Sequence, residues 1–242
     1  MNNCISRFTI LMVVIALTNM GCNPNYYIPN TQNVPIIKAK GQTNLSFAGN
    51  DNQIEFQGAY GVTGNLAIQG NAAMIAPEAE DNGNGGSGRL IDIGVGYFKN
   101  LNSYFLLETY GLLGAGKMEN HFPNTTTTYP NTTGRIRANL YRIGVQPCIS
   151  FHHPYFSVSA STKLMSLNYF DIDGSLIFDN IDQADYLAEN KSNVIIEPAI
   201  TLRGGLKMVK LQIQLLGSFN LSNQEFLQDE GLLSIGLNFN FN

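Results

Sequence analysis

The most constraining feature of this 242-residue chain is an alternation of apolar with polar or small residues in about ten separate stretches. In the last stretch, every second residue from Leu233 to Phe241 is apolar, and Ser, Gly or Asn stand between them. A period of two places alternate side chains on opposite faces of a β-strand. The pattern predicts an all-β chain with strands near 41–49, 52–61, 65–75, 88–99, 103–117, 134–151, 155–170, 193–204, 207–220 and 231–242.

The connections between these stretches alternate between tight turns and long polar loops. Tight turns are expected near 62–65, 99–102, 152–155 and 204–207, and long loops at 76–87, 118–133, 171–192 and 221–230. Outer-membrane barrels have short periplasmic turns, long outer loops and an even number of strands. We therefore predict an antiparallel, up-and-down transmembrane β-barrel of about ten strands over 41–242. Eight or twelve strands remain alternatives, because the stretches within 134–170 are long and irregular.

The composition favours a barrel surrounded by lipid. Only 13% of the residues are charged, against about 25% in a typical soluble domain. A soluble periplasmic ligand-binding barrel, which is the alternative, would carry charges on its outer face. The net charge of −4 and the absence of Lys or Arg runs argue against nucleic acid as a partner. Three cysteines, Cys4, Cys22 and Cys148, give no basis for a disulfide, a metal site or a cofactor.

The N-terminus has the pattern of an export signal. Arg7 precedes an apolar run at 8–17, and small and polar residues lead to Gly21–Cys22. The run is too short to span a bilayer as a helix. We predict a signal peptide over 1–21 and acylation of Cys22 with palmitate-type chains, because Gly21–Cys22 resembles the end of a lipobox. Asn19 stands where that motif usually has Leu, so ordinary cleavage with an unmodified Cys22 is the alternative.

Residues 22–40 contain three Pro and four Asn without a sustained period, which predicts an extended periplasmic tether. With Gly21–Cys22 followed by YYIPNTQNVPIIKAKG at 26–41, the chain resembles the small outer-membrane barrel (lipo)proteins of the Bacteroidota. The resemblance implies a Gram-negative outer membrane and a barrel fold but no reaction. The acidic export signal that sends some of these lipoproteins to the cell surface is absent directly after Cys22, where Asn23, Pro24 and Asn25 stand, so we expect the lipid anchor on the periplasmic side. Expected partners are outer-membrane lipid, lipopolysaccharide and, during biogenesis, the barrel-assembly machinery.

Eight charged residues are assigned to the polar faces of the strands, which point into the lumen of a barrel. Four are acidic and four are basic, which suggests that they pair. One interpretation is a polar plug that fixes the barrel shape, and the other is a narrow water-filled pore whose selectivity they set. These lumen residues are Glu55, Asp92, Glu108, Arg142, Lys163, Glu197, Arg203 and Lys210.

A lipid-modifying enzyme, an acyl transferase or a deacylase, is the competing functional class. Such a reaction needs a nucleophile activated by a base. One strand face offers three serines beside a lysine, but none of the three histidines falls beside a serine on a lipid-facing strand position. We therefore expect no catalytic residues, and a structural or surface-interaction role. The residues in question are Ser157, Ser159, Ser161 and Lys163, with His121, His152 and His153.

Two local features complete the prediction. Residues 179–191 (DNIDQADYLAENK) are expected to form a short helix over the barrel mouth. Six aromatic residues beside the tight turns are expected to form a girdle at the inner membrane interface. They are Phe98, Tyr104, Phe105, Phe151, Tyr155 and Phe156.

Overall fold

The computed structural model describes residues 24–76, 83–123 and 131–241, and its long strands form one antiparallel sheet. In chain order the elements are β1 (Thr43–Gly49), β2 (Gln53–Gly61), β3 (Leu66–Ile75), β4 (Gly85–Asn100), β5 (Phe105–Phe122), β6 (Gly134–His152), β7 (Phe156–Gly174), β8 (Ile177–Phe178), β9 (Ile181–Asp182), α1 (Gln183–Glu189), β10 (Ser192–Gly205), β11 (Val209–Gly217), β12 (Phe219–Asn220) and β13 (Gly231–Phe241).

The sheet closes into a barrel. Each long strand pairs with its neighbours along the chain, and β1 pairs with β13 from Thr43↔Phe241 to Gly49↔Ile235. The two-residue strands β8, β9 and β12 lie in the long connections, which leaves ten strands in the described barrel wall. The predicted up-and-down barrel of ten strands is confirmed.

Side chains alternate across the wall as the sequence pattern predicts. Ile93 and Ile143 point outward and are 63% and 55% exposed, whereas Gln57 and Gln146 point inward and are fully buried. This distribution is the reverse of a soluble barrel, which keeps its apolar side chains inside. Lipid is the solvent that such an outer surface needs.

The two ends of the barrel differ. The end with four tight turns, called here the turn end, also holds Thr43 and Phe241, where the wall begins and finishes. The opposite end, called the loop end, carries the long connections and α1. Strands β4 to β7 have 16 to 19 residues, whereas β1 has 7 and β2 has 9, so one side of the wall is taller.

The predicted short helix is confirmed. Asp182 is the N-cap of α1, and its side chain accepts hydrogen bonds from the amides of Ala184 and Asp185. Such a cap satisfies two backbone donors that the first helical turn leaves free. Within the described ranges, no helix is long and apolar enough to cross a membrane.

The aromatic girdle is present with one exception. Tyr104, Phe105, Tyr155 and Phe156 are exposed at the turn end, and Phe151 stacks or packs edge-on against three of them. Phe98 was assigned to this girdle wrongly. It points into the lumen and is buried in an apolar cluster, because alternation on β4 turns residue 98 inward.

The prediction of a periplasmic tether is wrong for residues 24–37, which lie inside the barrel. Pro24, Tyr26, Tyr27 and all residues from Pro29 to Ile37 are buried. The segment is extended, as its proline content predicts, but its surroundings are the polar lumen. It is called the plug segment below. Cys22 and the predicted signal peptide lie outside the described residues.

Candidate functional site in the barrel lumen

The plug segment runs the full length of the lumen. At the loop end, the Asn25 amide hydrogen-bonds the Asn120 side chain at 3.1 Å, and the Tyr26 amide donates to the Leu227 carbonyl at 2.9 Å. At the turn end, the Gly41 amide donates to the Gly61 carbonyl at 2.8 Å. The chain therefore enters the wall at the turn end, and its N-terminal side lies at the loop end.

A buried ion pair lies across three neighbouring strands in the middle of the lumen. Arg142 Nε donates to Asp92 Oδ1 at 2.7 Å, and Nη2 contacts the other carboxylate oxygen. Gly114 lies between them in register with both. A Cβ atom at position 114 would stand 2.1 Å from Asp92 Oδ1, so glycine leaves the space in which the two side chains meet.

The same arginine binds the plug segment. Arg142 Nη1 donates to the Tyr27 hydroxyl at 3.0 Å, and Nη2 donates to Asn30 Oδ1 at 2.6 Å. Lys163 Nζ reaches Asn30 Oδ1 at 3.3 Å and Glu197 Oε2 at 3.3 Å, while the Tyr27 hydroxyl donates to Glu197 Oε1 at 2.7 Å. Two acids and two bases thus enclose two plug side chains in a network without net charge, as buried charges require.

Glu55 and Glu108 hold the plug backbone. Glu55 Oε1 accepts from both the amide and the hydroxyl of Thr31 at 2.8 Å. The two oxygens of Glu108 accept from the amides of Ile36 and Ile37 at 3.1 and 3.2 Å. Ile36 has φ = 57°, a conformation that a β-branched residue adopts only under constraint. The two Glu108 contacts stabilise this conformation, because they bind the amides on either side of the Ile36 Cα atom.

Glutamine side chains satisfy much of the remaining plug backbone. Gln214 accepts from the Gln32 amide at 2.7 Å and donates to its carbonyl at 3.0 Å. Gln57 and Gln146 donate to the carbonyls of Thr31 and Asn33, each at 2.7 Å. A buried backbone needs such partners, and the wall provides them from several strands.

The eight predicted lumen residues are all buried, but they do not form four pairs. Six of them contact the plug segment or one another as described. Arg203 instead donates to Gln212 at 2.8 Å, and Lys210 donates to the Lys207 carbonyl at 3.4 Å. Within the described ranges, neither forms an ion pair. The expected four-by-four pairing is wrong, because backbone amides of the plug replace cations as partners of Glu55 and Glu108.

Sequence reasoning missed the plug residues, although one signal was present. Tyr26, Tyr27, Val34 and Ile37 are large and apolar, and a solvated tether rarely carries so many. In the structure, Val34, Ile36 and Ile37 form an apolar cluster with lumen residues near the turn end. These include Phe98, Leu106, Tyr110 and the free, buried thiol of Cys148.

The Ser–Lys alternative is not assembled in the lumen. Ser161 donates to Gln32 at 2.7 Å, and Ser159 shares a hydrogen bond with Ser150 at 2.7 Å. Lys163 is engaged by Asn30 and Glu197, so it is not placed as a base for either serine. In the part of the chain that the structure describes, no group of three or more His, Cys, Asp or Glu side chains could hold a metal ion.

The comparisons with known proteins concern the fold alone. No protein-family model and no curated protein matches the chain. The outer-membrane protease OmpT from Escherichia coli is 9% identical, with a TM-score of 0.51 over 88% of this chain and 99% of OmpT. The chain has the fold of outer-membrane β-barrel proteins. The KdgM porin, 9% identical, has a TM-score of 0.37 over 83% of this chain and 99% of its own. LpxR from Salmonella typhimurium, 7% identical, has a TM-score of 0.35 over the same shares.

The buried ion pair gives the first prediction. Arg142→Met leaves the Asp92 carboxylate buried without its partner, which costs about 3–5 kcal/mol of unfolding free energy. The matched control is Arg137→Met, which breaks the exposed pair with Asp173 at 2.6 Å and costs less than about 1 kcal/mol. The boiling-dependent shift in gel mobility, followed against urea concentration, measures both. Adding Asp92→Asn to Arg142→Met should recover part of the loss; equal midpoints for the two single variants would contradict this account.

The loop-end contact of the plug gives a pH dependence. Burial raises the pKa of Asp229, which accepts from the Asn25 side chain, from 3.8 to about 6. A folded-state pKa above the unfolded value stabilises the fold at low pH, and that stabilisation is lost as the pH rises through about 6. Hydrogen exchange of the amides of 25–27, corrected for its intrinsic rate, should therefore show less protection at pH 8 than at pH 5. Asp229→Asn should remove this dependence, and an unchanged dependence in that variant would assign it to another group.

Proposed function

We propose that the protein is an outer-membrane barrel closed by its own N-terminal segment, with a structural or surface-interaction role. The observation that carries the proposal is the plug segment, which occupies the lumen and is bound there by five charged side chains and four glutamines of the wall. A barrel that holds its lumen shut offers its outer loops and the end of the plug as its functional surface.

The outward face supports the membrane location. From Tyr141 to Phe151, ten residue steps on β6 cover about 33 Å along the strand. At a tilt of about 40° this is an apolar height of about 25 Å, as in outer-membrane barrels. The aromatic residues at the turn end suit the inner interface. The loop end is then the outer side, because long loops of such barrels face outward.

The contacts of the plug argue against the narrow pore as the resting state. Withdrawing the segment would leave the Glu55 and Glu108 carboxylates without the amides that they bind. Arg142 and Lys163 would also lose their contacts with the Asn30 side chain. Each lost charge-assisted contact costs more than an ordinary hydrogen bond. A conducting state therefore needs displacement of the plug. KdgM is named a porin, but its likeness to this chain carries no argument for a pore.

The path of the plug also changes where the mature N-terminus is expected. Pro24 lies at the loop end, and one residue, Asn23, separates it from Cys22, so the chain between the two Cα atoms can reach about 7 Å. An anchor on the periplasmic side is not supported by this path. We propose that the N-terminus leaves the barrel on the outer side. Acylation of Cys22 stays a prediction from the sequence, and in this arrangement its chains would enter the outer leaflet.

We also propose that the barrel is not an enzyme of the Ser–Lys type. The serines on β7 bind the plug or another serine, and they are buried in the lumen rather than open to lipid. OmpT is named a protease, but an identity of 9% carries no activity to this chain.

The closed lumen is tested by conductance. Wild-type protein in planar bilayers should be silent, whereas deletion of residues 24–34 should give steady single-channel steps. A second variant, Asn30→Ala/Thr31→Ala/Gln32→Ala, leaves the wall intact and should give brief openings. Lys40→Ala, at an exposed position outside the lumen, is the control and should stay silent.

Two outcomes would reject the closed barrel. Steady conductance of the wild type would show that the plug does not seal the lumen. Silence of both plug variants, once a boiling-dependent mobility shift has shown that they fold, would show that the wall alone closes it.

The side on which the N-terminus lies is tested with an epitope inserted between Asn23 and Pro24. Antibody should bind this epitope on intact cells. The same epitope inserted at Leu206, in a turn-end connection, should be bound only after the outer membrane is made permeable. Reversal of this pattern, with the N-terminal epitope protected in intact cells, would place the N-terminus in the periplasm.

A further inference from the structure

Charged side chains on the outward face of the wall are concentrated at one place. In the described residues, β1, β2, β3, β10, β11 and β13 present no charged side chain to the outside. At the loop end of the tall wall, by contrast, the outward positions of β4 to β7 carry seven. These are Arg89, Lys117, Glu119, Arg135, Arg137, Asp171 and Asp173.

The acids of this group have partners on the wall itself. Glu119 pairs with Arg135 at 2.6 Å, and Asp173 pairs with Arg137 at 2.6 Å. Asp171 accepts from the Asn139 side chain at 3.1 Å. The two remaining cations are Arg89 and Lys117, for which the described residues provide no hydrogen bond or ion pair.

Arg89 and Lys117 lie directly opposite each other on neighbouring strands. Like charges in this position repel and destabilise a sheet. Met74 stands beside Arg89 in register, and Asn139 stands beside Lys117, so neither neighbour supplies a negative charge. An anion bound between the two cations would remove the repulsion. Phosphate suits this role, because the guanidinium group binds it with two parallel hydrogen bonds and the ammonium group adds a point charge.

The pair lies at the outer border of the apolar band. The next outward residues toward the turn end are Ile91 on β4 and Ala115 on β5. Below them an apolar groove of about 880 Å³ crosses the same part of the wall. The outward side chains that line it include Ile93, Val95, Leu113, Ile143, Val145 and Leu164. A cationic pair above an apolar groove matches a lipid that has a phosphate head and acyl chains.

We propose that Arg89 and Lys117 form a binding site for the phosphate group of an outer-leaflet glycolipid of the lipopolysaccharide type, whose acyl chains lie in the groove below. The site rests on the proposed orientation, in which the loop end faces outward, but it is on the outside of the wall and does not depend on whether the lumen is sealed. It fixes the tall side of the barrel against the part of the outer leaflet that carries negative charge.

The test compares lipid binding by three forms of the full-length protein. They are the wild type, Arg89→Gln/Lys117→Gln, and Lys99→Gln/Lys207→Gln, which removes two exposed cations at the turn end. Each is purified in detergent and titrated with lipid A that carries its phosphates, and bound lipid is counted by native mass spectrometry. The loop-end double variant loses both charged contacts with the phosphate, so it should bind lipid A at least about tenfold more weakly than the wild type. The turn-end variant should bind as the wild type does.

Three results would overturn the proposal. Equal binding by all three forms would exclude a role for the pair. Equal binding of dephosphorylated lipid A would exclude phosphate recognition, and displacement of lipid A by inorganic phosphate at the same concentration would assign the site to free phosphate. The boiling-dependent mobility shift establishes that each form is folded, and the single variants Arg89→Gln and Lys117→Gln replace the double variant if it does not fold.

Discussion

The structure depends on one constraint, which is that polar groups buried in a closed lumen must find partners. The ten-strand wall turns Gln, Asn, Ser and charged side chains inward, and no strand can satisfy them alone. The plug segment meets part of this demand by bringing backbone amides, carbonyls and the side chains of Tyr27 and Asn30 to them. Among the described residues the Gln69 side-chain amide still has no hydrogen-bond partner. Wall and plug are therefore complementary: each would leave buried polar groups unpaired without the other.

The strands could be predicted from the sequence because lipid and lumen impose opposite demands on adjacent residues. Predicted and observed strands agree along most of the wall, and they differ mainly at the loop end. There β5 continues to Phe122 and β7 to Gly174, beyond the predicted limits of 117 and 170. The alternation of apolar and polar residues ends at Lys117 because β5 leaves the lipid there, while its hydrogen bonds to β6 continue. The hydrophobic pattern therefore indicates how far a strand runs through the membrane, whereas backbone hydrogen bonding to the neighbouring strand sets the full length of the strand.

The lumen could be predicted only in part. Face assignment placed all eight charged residues inside, since inward positions follow from the same alternation. Their partners could not be predicted, because Glu108 binds two backbone amides of a segment about 70 residues away in the chain. The extended, proline-containing pattern is the same in water as in a polar lumen, and only its large residues, such as Tyr27 and Ile37, indicate burial. The place of the segment follows from the closed wall, which offers donors and acceptors at successive heights.

The inner and outer faces of the tall wall follow the same physical rule with different results. Inside, Arg142 is buried, so its charge must be matched within the molecule, and Asp92 and the plug match it. Outside, Arg89 is exposed, so a partner from the surrounding membrane can take that place. An unmatched cationic pair persists on a surface only where its repulsion is small or a mobile anion relieves it. In the proposed site a lipid phosphate meets the second condition, so the membrane would match the charges of Arg89 and Lys117 as Asp92 and the plug match the charge of Arg142.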